Sequence, residues 1–224
     1  MKVLIFDSGT LINLSMNGLL NILENLKRDF DGKFIITNAV KYETIDRPIG
    51  IQKFELGALK IQWLLEKGIL EMPDSLDVDE KELKALTEKF LTKANHIMQS
   101  KGVWIKLVSE AEISCLALSA ILSKRKIESL IAVDERTTRL ICENPRNLER
   151  IMSEKTHQRV TLVETNLEEF QDFRFIRSSE IAFVAYKKGL LRLSGKKVLE
   201  ALLYATKYKG SAISYEEIDV LKKL

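Results

Sequence analysis

The fold of this chain can be traced outward from the stretch Lys2-Val3-Leu4-Ile5-Phe6-Asp7-Ser8-Gly9-Thr10-Leu11-Ile12. It begins with a short apolar run typical of a buried strand. The run stops at Asp7, and apolar residues then recur at helical spacing. A second run, Leu130-Ile131-Ala132-Val133, stops in the same way at Asp134 and Glu135. The two runs predict parallel strands whose ends bring carboxylates to one edge of a sheet, which is where open α/β sheets bind ligands.

The rest of the chain alternates further strand-like and helix-like patterns. Strands are expected over 33–37, 159–163 and 173–176. Helices are expected over 11–28, 38–47, 56–67, 80–100, 109–121, 137–142, 180–188, 196–208 and 214–224. This order of elements predicts an α/β fold, a three-layer α/β/α sandwich with a central, mostly parallel sheet.

Composition narrows the class of protein. The chain has 224 residues, of which 46% are hydrophobic and 30% charged, as expected for a globular domain that can bury a core. The net charge of +3 does not by itself select a nucleic-acid partner. No apolar stretch is long enough to span a bilayer and no signal peptide is recognisable, so we expect no membrane association and a cytoplasmic location.

A cluster of carboxylates at one sheet edge requires a partner charge. Two like charges about 4 Å apart repel by roughly 4 kcal/mol at an effective dielectric constant near 20. A cation, a shared proton or a basic side chain would relieve this repulsion, and a divalent metal is the leading candidate. The two cysteines and two histidines form no metal-binding motif, so the ligands would be oxygens, which favours Mg²⁺ or Mn²⁺.

The phrase Asp7-Ser8-Gly9-Thr10 permits one phosphatase interpretation. It resembles the Asp-x-Asp-Gly-Thr motif of the haloacid-dehalogenase superfamily, in which the first Asp is the nucleophile and the second the acid/base. This chain lacks the second Asp and is one residue short. The resemblance implies a phosphatase that uses Asp7, and it remains the less favoured alternative.

The same stretch resembles the start of PIN domains more closely, and the resemblance continues along the chain. Residues 35–45 are similar to the family's second segment, 109–118 to its third, and 130–136 to its fourth. The phrases 185–190 and 213–214 are similar to the end of one PIN subgroup of unassigned function. The resemblance implies a PIN-like α/β/α sandwich and a metal-dependent ribonuclease, an endoribonuclease that hydrolyses RNA phosphodiester bonds.

The resemblance also implies roles for particular residues. The catalytic residues would be Asp7, Glu43, Glu112 and Asp134. The ligands of Mg²⁺ or Mn²⁺ would be drawn from Asp7, Glu43, Glu110, Glu112, Asp134 and Glu135. Substrate contacts would come from Ser8, Thr10, Arg136 and Arg139. The choice between Glu110 and Glu112 stays open, because Glu112 also fits a capping box with Ser109 and Glu110 suits a helix N-terminus.

Alternatives to a nuclease remain. The chain would be a single PIN-like domain over 1–224, with helical insertions over 49–104 and 143–172 that could block a substrate. A catalytically inactive PIN-like module that binds RNA or protein is therefore the second hypothesis. A homodimer and an antitoxin-like protein partner are further alternatives. The phrase 207–210, Lys-Tyr-Lys-Gly, is a short basic-aromatic patch with no assigned role.

Overall fold

The computed structural model describes residues 1–164 and 167–224. The strands are β1 (Lys2–Phe6), β2 (Gly32–Ile35), β3 (Met98–Ser100), β4 (Val103–Trp104), β5 (Glu128–Ala132), β6 (Val160–Leu162) and β7 (Phe175–Ile176). The helices are α1 (Ser8–Met16), α2 (Asn21–Asp29), α3 (Asn38–Lys41), α4 (Glu55–Glu66), α5 (Glu80–Ala94), α6 (Glu110–Lys124), α7 (Arg136–Glu143), α8 (Pro145–Thr156), α9 (Ser178–Lys187), α10 (Lys196–Tyr208) and α11 (Tyr215–Leu221). A π-helical turn covers Tyr42–Asp46, and short 3₁₀ turns cover Pro48–Gly50, Pro73–Leu76 and Glu168–Phe170.

The main sheet has four strands in the order β2-β1-β5-β7, and every neighbouring pair is parallel. β1 lies inside the sheet, with Lys2 opposite Gly32 on one side and Glu128 on the other. Gly32 has to be glycine, because a Cβ there would lie 2.2 Å from the carbonyl oxygen of Lys2. The predicted α/β class with a central parallel sheet is confirmed.

Helices cover both faces of the main sheet. α6 packs on β1 and β5, and α3 and α5 pack against α6. The helices α1, α2, α9 and α10 contact one another as the other layer. The buried rings of Phe6 and Phe34 meet edge to face, with centroids 5.4 Å apart. The chain is thus the three-layer sandwich that the order of patterns predicted.

The segment predicted as one helix over 80–100 is divided. α5 ends at Ala94, and the side-chain oxygen of Asn95 then accepts hydrogen bonds from the N–H groups of Leu107 and Val108. Residues 98–100 instead form β3, which pairs antiparallel with β4 and β6 in a second sheet. β6 lies in the segment 143–172, so the two predicted insertions meet in one small sheet.

Two other expectations about helices are corrected. The helix predicted over 11–28 is two helices, α1 and α2, separated at Gly18, which has a positive φ of 68°. The polar segment after 143 contains α8, which sequence patterns did not predict. α8 begins at Pro145, and the side chain of Asn144 caps it by accepting from the N–H of Asn147. Across residues 1–164 and 167–224, no helix is both long and apolar enough to cross a membrane.

Candidate functional site

Asp7 stands at the carboxyl end of β1, inside the protein. Its N–H donates to the carbonyl of Ala132 at 2.9 Å, which extends the β1–β5 pairing to the tip of the strand. Its carboxylate caps α1 by accepting from the N–H of Gly9 at 3.1 Å. A Cβ on Gly9 would lie 3.2 Å from that carboxylate, so glycine leaves room for it. Asp7 is only 2% exposed, which makes its charge costly.

Glu43 reaches the same edge from the segment after β2. Thr37 caps α3 by accepting from the N–H of Val40. α3 then widens into the π-helical turn, where the hydroxyl of Thr44 donates to the carbonyl of Val40 at 2.8 Å. Single π-helical turns recur at functional sites. The turn presents Glu43, whose Oε2 accepts from the hydroxyl of Ser8 at 2.7 Å.

Glu112 approaches from the start of α6. Ser109 and Glu112 form the predicted capping box, with the N–H of Ser109 donating to Glu112 Oε2 at 2.7 Å. Glu112 is half-buried, whereas Glu110 is exposed at the helix start. The charge of Glu112 acts on Asp7, and no comparable effect of Glu110 is resolved. The structure therefore favours Glu112 over Glu110 as the neighbour of Asp7.

The carboxylates Asp7, Glu43 and Glu112 form one electrostatic group, which we call the acidic cluster. Burial, then the charge of Glu112 and that of Glu43, raise the pKa of Asp7 to about 7, against the opposing effect of the N–H groups of Gly9 and Ser8. Burial and the same acidic residues also raise the pKa of the Cys115 thiol. All three carboxylates thus act on the same buried thiol.

The acidic cluster is not neutralised by ion pairs within the described residues. In the part of the chain that the structure describes, no Lys or Arg forms an ion pair with Asp7, Glu43 or Glu112. Burial, and the charges of Glu135 and Glu43, also raise the pKa of Glu112 despite its hydrogen bond from the N–H of Ser109. Of the two ways left to relieve the repulsion, protonation is the one these raised pKa values describe, and a bound cation is the other.

Asp134, at the tip of β5, lies in a different environment. Its carboxylate accepts from Asn13 Nδ2 at 2.8 Å, from the N–H of Ser178 at 2.8 Å and from the hydroxyl of Ser178 at 2.6 Å. Both oxygens are therefore used, and they join β5 to α1 and to the start of α9. Burial raises the pKa of Asp134, and the donors of Ser178 oppose this effect. The sequence placed Asp134 in the metal site, but the structure directs its carboxylate into the helical layer.

Glu135 and the predicted substrate residues are spread over the same edge. Glu135 is exposed and caps α7, accepting from the N–H of Thr138 at 2.9 Å. Ser8 faces Glu43, as described above. Thr10 is fully buried, and its hydroxyl has no hydrogen-bond partner in the described residues, so it is not in reach of a substrate at the surface. Arg136 is exposed at the start of α7, and Arg139 pairs with Glu143 at 3.2 Å.

A cleft of about 390 Å³ opens beside the acidic cluster and contains residues that the sequence analysis missed. Glu43 and Glu110 line it together with Tyr42, Arg47 and Lys84, and these last three side chains are exposed. Lys84 lies on the solvent face of α5, where a cation is ordinary, and Arg47 stands before Pro48 at the end of a helix. Neither position carries a local signal of a site, because the cleft arises only when α3, α5 and α6 come together.

The donors at the acidic cluster fit a hard divalent ion in kind. Carboxylate and hydroxyl oxygens are what Mg²⁺ and Mn²⁺ prefer. Within the described ranges, however, no group of three or more His, Cys, Asp or Glu side chains is arranged to hold an ion. The carboxylate of Glu43 accepts from Ser8, and that of Glu112 accepts from the N–H of Ser109. At least one of these side chains would therefore have to rotate toward Asp7 for the cluster to bind a metal ion.

Comparisons of the chain with protein-family models, with curated proteins and with solved structures find no match.

Proposed function

We propose that this protein is a PIN-like, metal-dependent ribonuclease that hydrolyses RNA phosphodiester bonds. The observation that carries the proposal is the acidic cluster itself: Asp7, Glu43 and Glu112 share one edge of a parallel sheet, with a raised Asp7 pKa and no basic partner in the described residues. Repulsion within such a cluster lowers the stability of the fold unless a cation or a proton neutralises it. Holding Mg²⁺ or Mn²⁺ is the purpose that its oxygen ligands suit best.

The residues of the chain divide the work as follows. Asp7, Glu43 and Glu112 would hold the ion, and Ser8 would fix the orientation of Glu43 through its 2.7 Å hydrogen bond. When bound, a divalent ion supplies charge neutralisation for the phosphodiester and acidifies a water. Arg47 and Lys84, in the adjoining cleft, are placed to contact flanking phosphates, and Tyr42 offers an exposed ring for a base.

One observation favours the second hypothesis, a catalytically inactive PIN-like module that binds RNA or protein. Both carboxylate oxygens of Asp134 accept hydrogen bonds from Asn13 and Ser178. The acidic cluster therefore has one ligand fewer than the set that the resemblance implies. Metal binding separates the two hypotheses directly, because an inactive module has no need of an ion at this edge.

The test compares Asp7→Asn with Asp79→Asn. Asp79 is a matched control, since it caps α5 as Asp7 caps α1, but it is exposed and outside the acidic cluster. We expect Mn²⁺ to raise the melting temperature of the wild type, by an amount equivalent to about 2.7 kcal/mol at a concentration 100 times Kd. Asp79→Asn should keep this response and Asp7→Asn should lose it.

Cleavage of a labelled single-stranded RNA completes the test. Asp7→Asn should slow Mn²⁺-dependent cleavage by about a hundredfold or more, equivalent to about 3 kcal/mol of transition-state stabilisation. Cleavage that is unchanged in Asp7→Asn would remove the acidic cluster from the mechanism. Metal binding without cleavage would favour the inactive module, and metal-dependent turnover of a chromogenic phosphomonoester that depends on Asp7 would favour the phosphatase interpretation.

A further inference from the structure

A second cleft lies beside the end of β5, and we call it the tyrosine cleft. It has a volume of about 600 Å³ and is bordered by α7, the end of α10 and the segment leading into α11. Its basic and aromatic lining residues are Arg136, Arg139, Arg177, Lys207, Tyr208 and Tyr215. It therefore includes part of the basic-aromatic phrase 207–210, to which the acidic cluster gives no role.

The floor of the tyrosine cleft is firmly built. The N–H of Ala212 donates to the carbonyl of Asp134 at 3.1 Å, which ties the floor to the tip of β5. Arg177, which is only 5% exposed, donates to the carbonyl of Ala212 at 3.0 Å and forms a two-pronged contact with Glu217. A surface held by buried contacts of this kind keeps its shape when a ligand arrives, which reduces the entropic cost of binding.

The aromatic rings of the tyrosine cleft are unusually open to solvent. Tyr208 is 71% exposed and Tyr215 is 51% exposed. The rings of Tyr204 and Tyr208 lie nearly parallel, with centroids 6.1 Å apart, and Lys207 Nζ sits 4.3 Å from the ring centroid of Tyr215. Aromatic rings next to cations are the platform on which single-stranded nucleic acids stack their bases.

Donors for phosphate stand beside these rings. Arg139 contacts Glu143 through a partly exposed pair, which is weak enough for a phosphate to replace it. Arg136 is exposed and forms no ion pair within residues 1–164 and 167–224. Of the acidic lining residues, Glu143 and Glu217 are paired with arginines, and Glu216 is left as the opposing charge.

The tyrosine cleft adjoins the acidic cluster. Arg136 follows directly on Glu135, and the charge of Glu135 raises the pKa of Glu112. A strand that leaves the acidic cluster past Glu135 thus meets the start of α7 first and the tyrosine rings next. Glu43 of the cluster also lines the cleft of Tyr42, Arg47 and Lys84, so a bound strand has a second basic surface within reach.

We propose that the tyrosine cleft binds the single-stranded RNA that flanks the scissile phosphate, with a base stacked on Tyr208 and phosphates held by Arg136 and Arg139. The proposal rests on the proposed function for the identity of the strand. It assigns the enzyme a substrate class, since a base paired in a duplex has no free face for a tyrosine. The cleft then sets affinity and the side from which the strand is held, and it takes no part in bond breaking.

The test measures binding without chemistry. A fluorescein-labelled 12-nucleotide single-stranded RNA is titrated with the full chain in EDTA, and Kd is read by fluorescence anisotropy at two salt concentrations. Tyr208→Ala should raise Kd by about tenfold, and Tyr208→Phe, which keeps the ring, should stay within about twofold of the wild type. Arg136→Ala should raise Kd and lower the salt dependence by about one unit of slope. Arg146→Ala, an exposed arginine on α8, is the matched control and should change neither.

The outcomes separate this proposal from the proposed function. If Tyr208→Ala and Arg136→Ala bind the RNA within twofold of the wild type, or if the wild type does not bind it at low salt, the tyrosine cleft is not an RNA site. That conclusion would hold even if Mn²⁺-dependent cleavage were present. Conversely, Tyr208-dependent binding with no cleavage under any metal would support the cleft and reject the nuclease. Equal affinity for a hairpin duplex of the same length would overturn the assignment to single strands.

Discussion

Asp7 and Asp134 end neighbouring strands of the same sheet, and they are about equally buried, yet their surroundings are opposite. Asp7 has two glutamates for neighbours, and the donors nearest its carboxylate are the N–H of Gly9 and the groups of Ser8. Asp134 is enclosed by the neutral donors of Asn13 and Ser178. Asp7 has carboxylates and no basic ion-pair partner beside it in the described residues, whereas the carboxylate of Asp134 is fully hydrogen-bonded. A carboxylate at the end of a strand can therefore be a candidate metal ligand, like Asp7, or a structural hydrogen-bond acceptor, like Asp134. Only the neighbouring side chains distinguish the two roles.

The largest effect should come from removing the structural tie. Asp134→Ala leaves the N–H of Ser178 and the side-chain amide of Asn13 without their buried acceptor, so we expect it to lower the free energy of unfolding by about 4 kcal/mol. Denaturant titration measures the change. Asp79→Ala, which removes an exposed helix cap, should cost only about 1 kcal/mol. A cost for Asp134→Ala no larger than that of the control would contradict its structural role.

At the acidic cluster, by contrast, we expect a substitution to raise the free energy of unfolding. Folding raises the pKa of Asp7 from 3.8 to about 7, so the folded state holds the proton more tightly than the unfolded state does. The contribution of Asp7 to the free energy of unfolding is then fully present below about pH 4 and is lost as the pH rises through about 7. Asp7→Asn keeps the helix cap but cannot ionise, so at pH 8 in EDTA it should be more stable than the wild type by about 4 kcal/mol.

The pH profile is the measurement that checks this. Melting or denaturant curves of the wild type and of Asp7→Asn should approach each other near pH 4 and separate above neutral pH. Adding Mn²⁺ at pH 8 should narrow the gap, because only the wild type would bind the ion. Profiles that run parallel at every pH would mean that the charge of Asp7 is already compensated.

The smallest effects should come from the serines beside each acid. Ser178 is buried and donates to Asp134 at 2.6 Å, so Ser178→Ala should cost about 2 kcal/mol. Ser8 donates to the half-exposed Glu43 at 2.7 Å, and Ser8→Ala should cost less than about 1 kcal/mol. Denaturant midpoints give both values, and Mn²⁺ affinity should fall only for Ser8→Ala. The reverse ranking would exchange the roles of the two acids.

Patterns of apolar residues predicted most of the fold, because the buried face of a strand or helix shows in the local spacing of its apolar residues. β1 and β5 are short apolar runs, α10 was placed at its observed bounds, and the capping box of Ser109 and Glu112 is present. β3 was predicted as the end of α5, because three residues carry too little periodicity to reveal a strand whose two partners are the two-residue β4 and the distant β6. α8 was missed because its apolar stripe is short, consisting of Leu148, Ile151 and Met152 in an otherwise polar segment.

The site was predicted in part. Asp7, Glu43 and Glu112 were all proposed from the sequence, and in the structure the charges of Glu43 and Glu112 act on Asp7. What sequence could not reveal is where a carboxylate points: Asp134 has the same local context as Asp7, and its hydrogen-bond donors come from α1 and α9, far away along the chain. The clefts on either side were likewise invisible, because their residues lie on separate helices that meet only after folding.

The position of β1 in the sheet has a consequence for synthesis of the protein. β1 is made first and lies between β2 and β5, and Lys2 pairs with Gly32 on one side and with Glu128 on the other. A growing chain can form the β1–β2 pair early, but the other edge of β1 stays open until β5 has been made. Open strand edges attract other chains, so we expect nascent fragments ending before β5 to depend on chaperones or to aggregate. Asp7, Glu43 and Glu112 come together only after the start of α6 has been made.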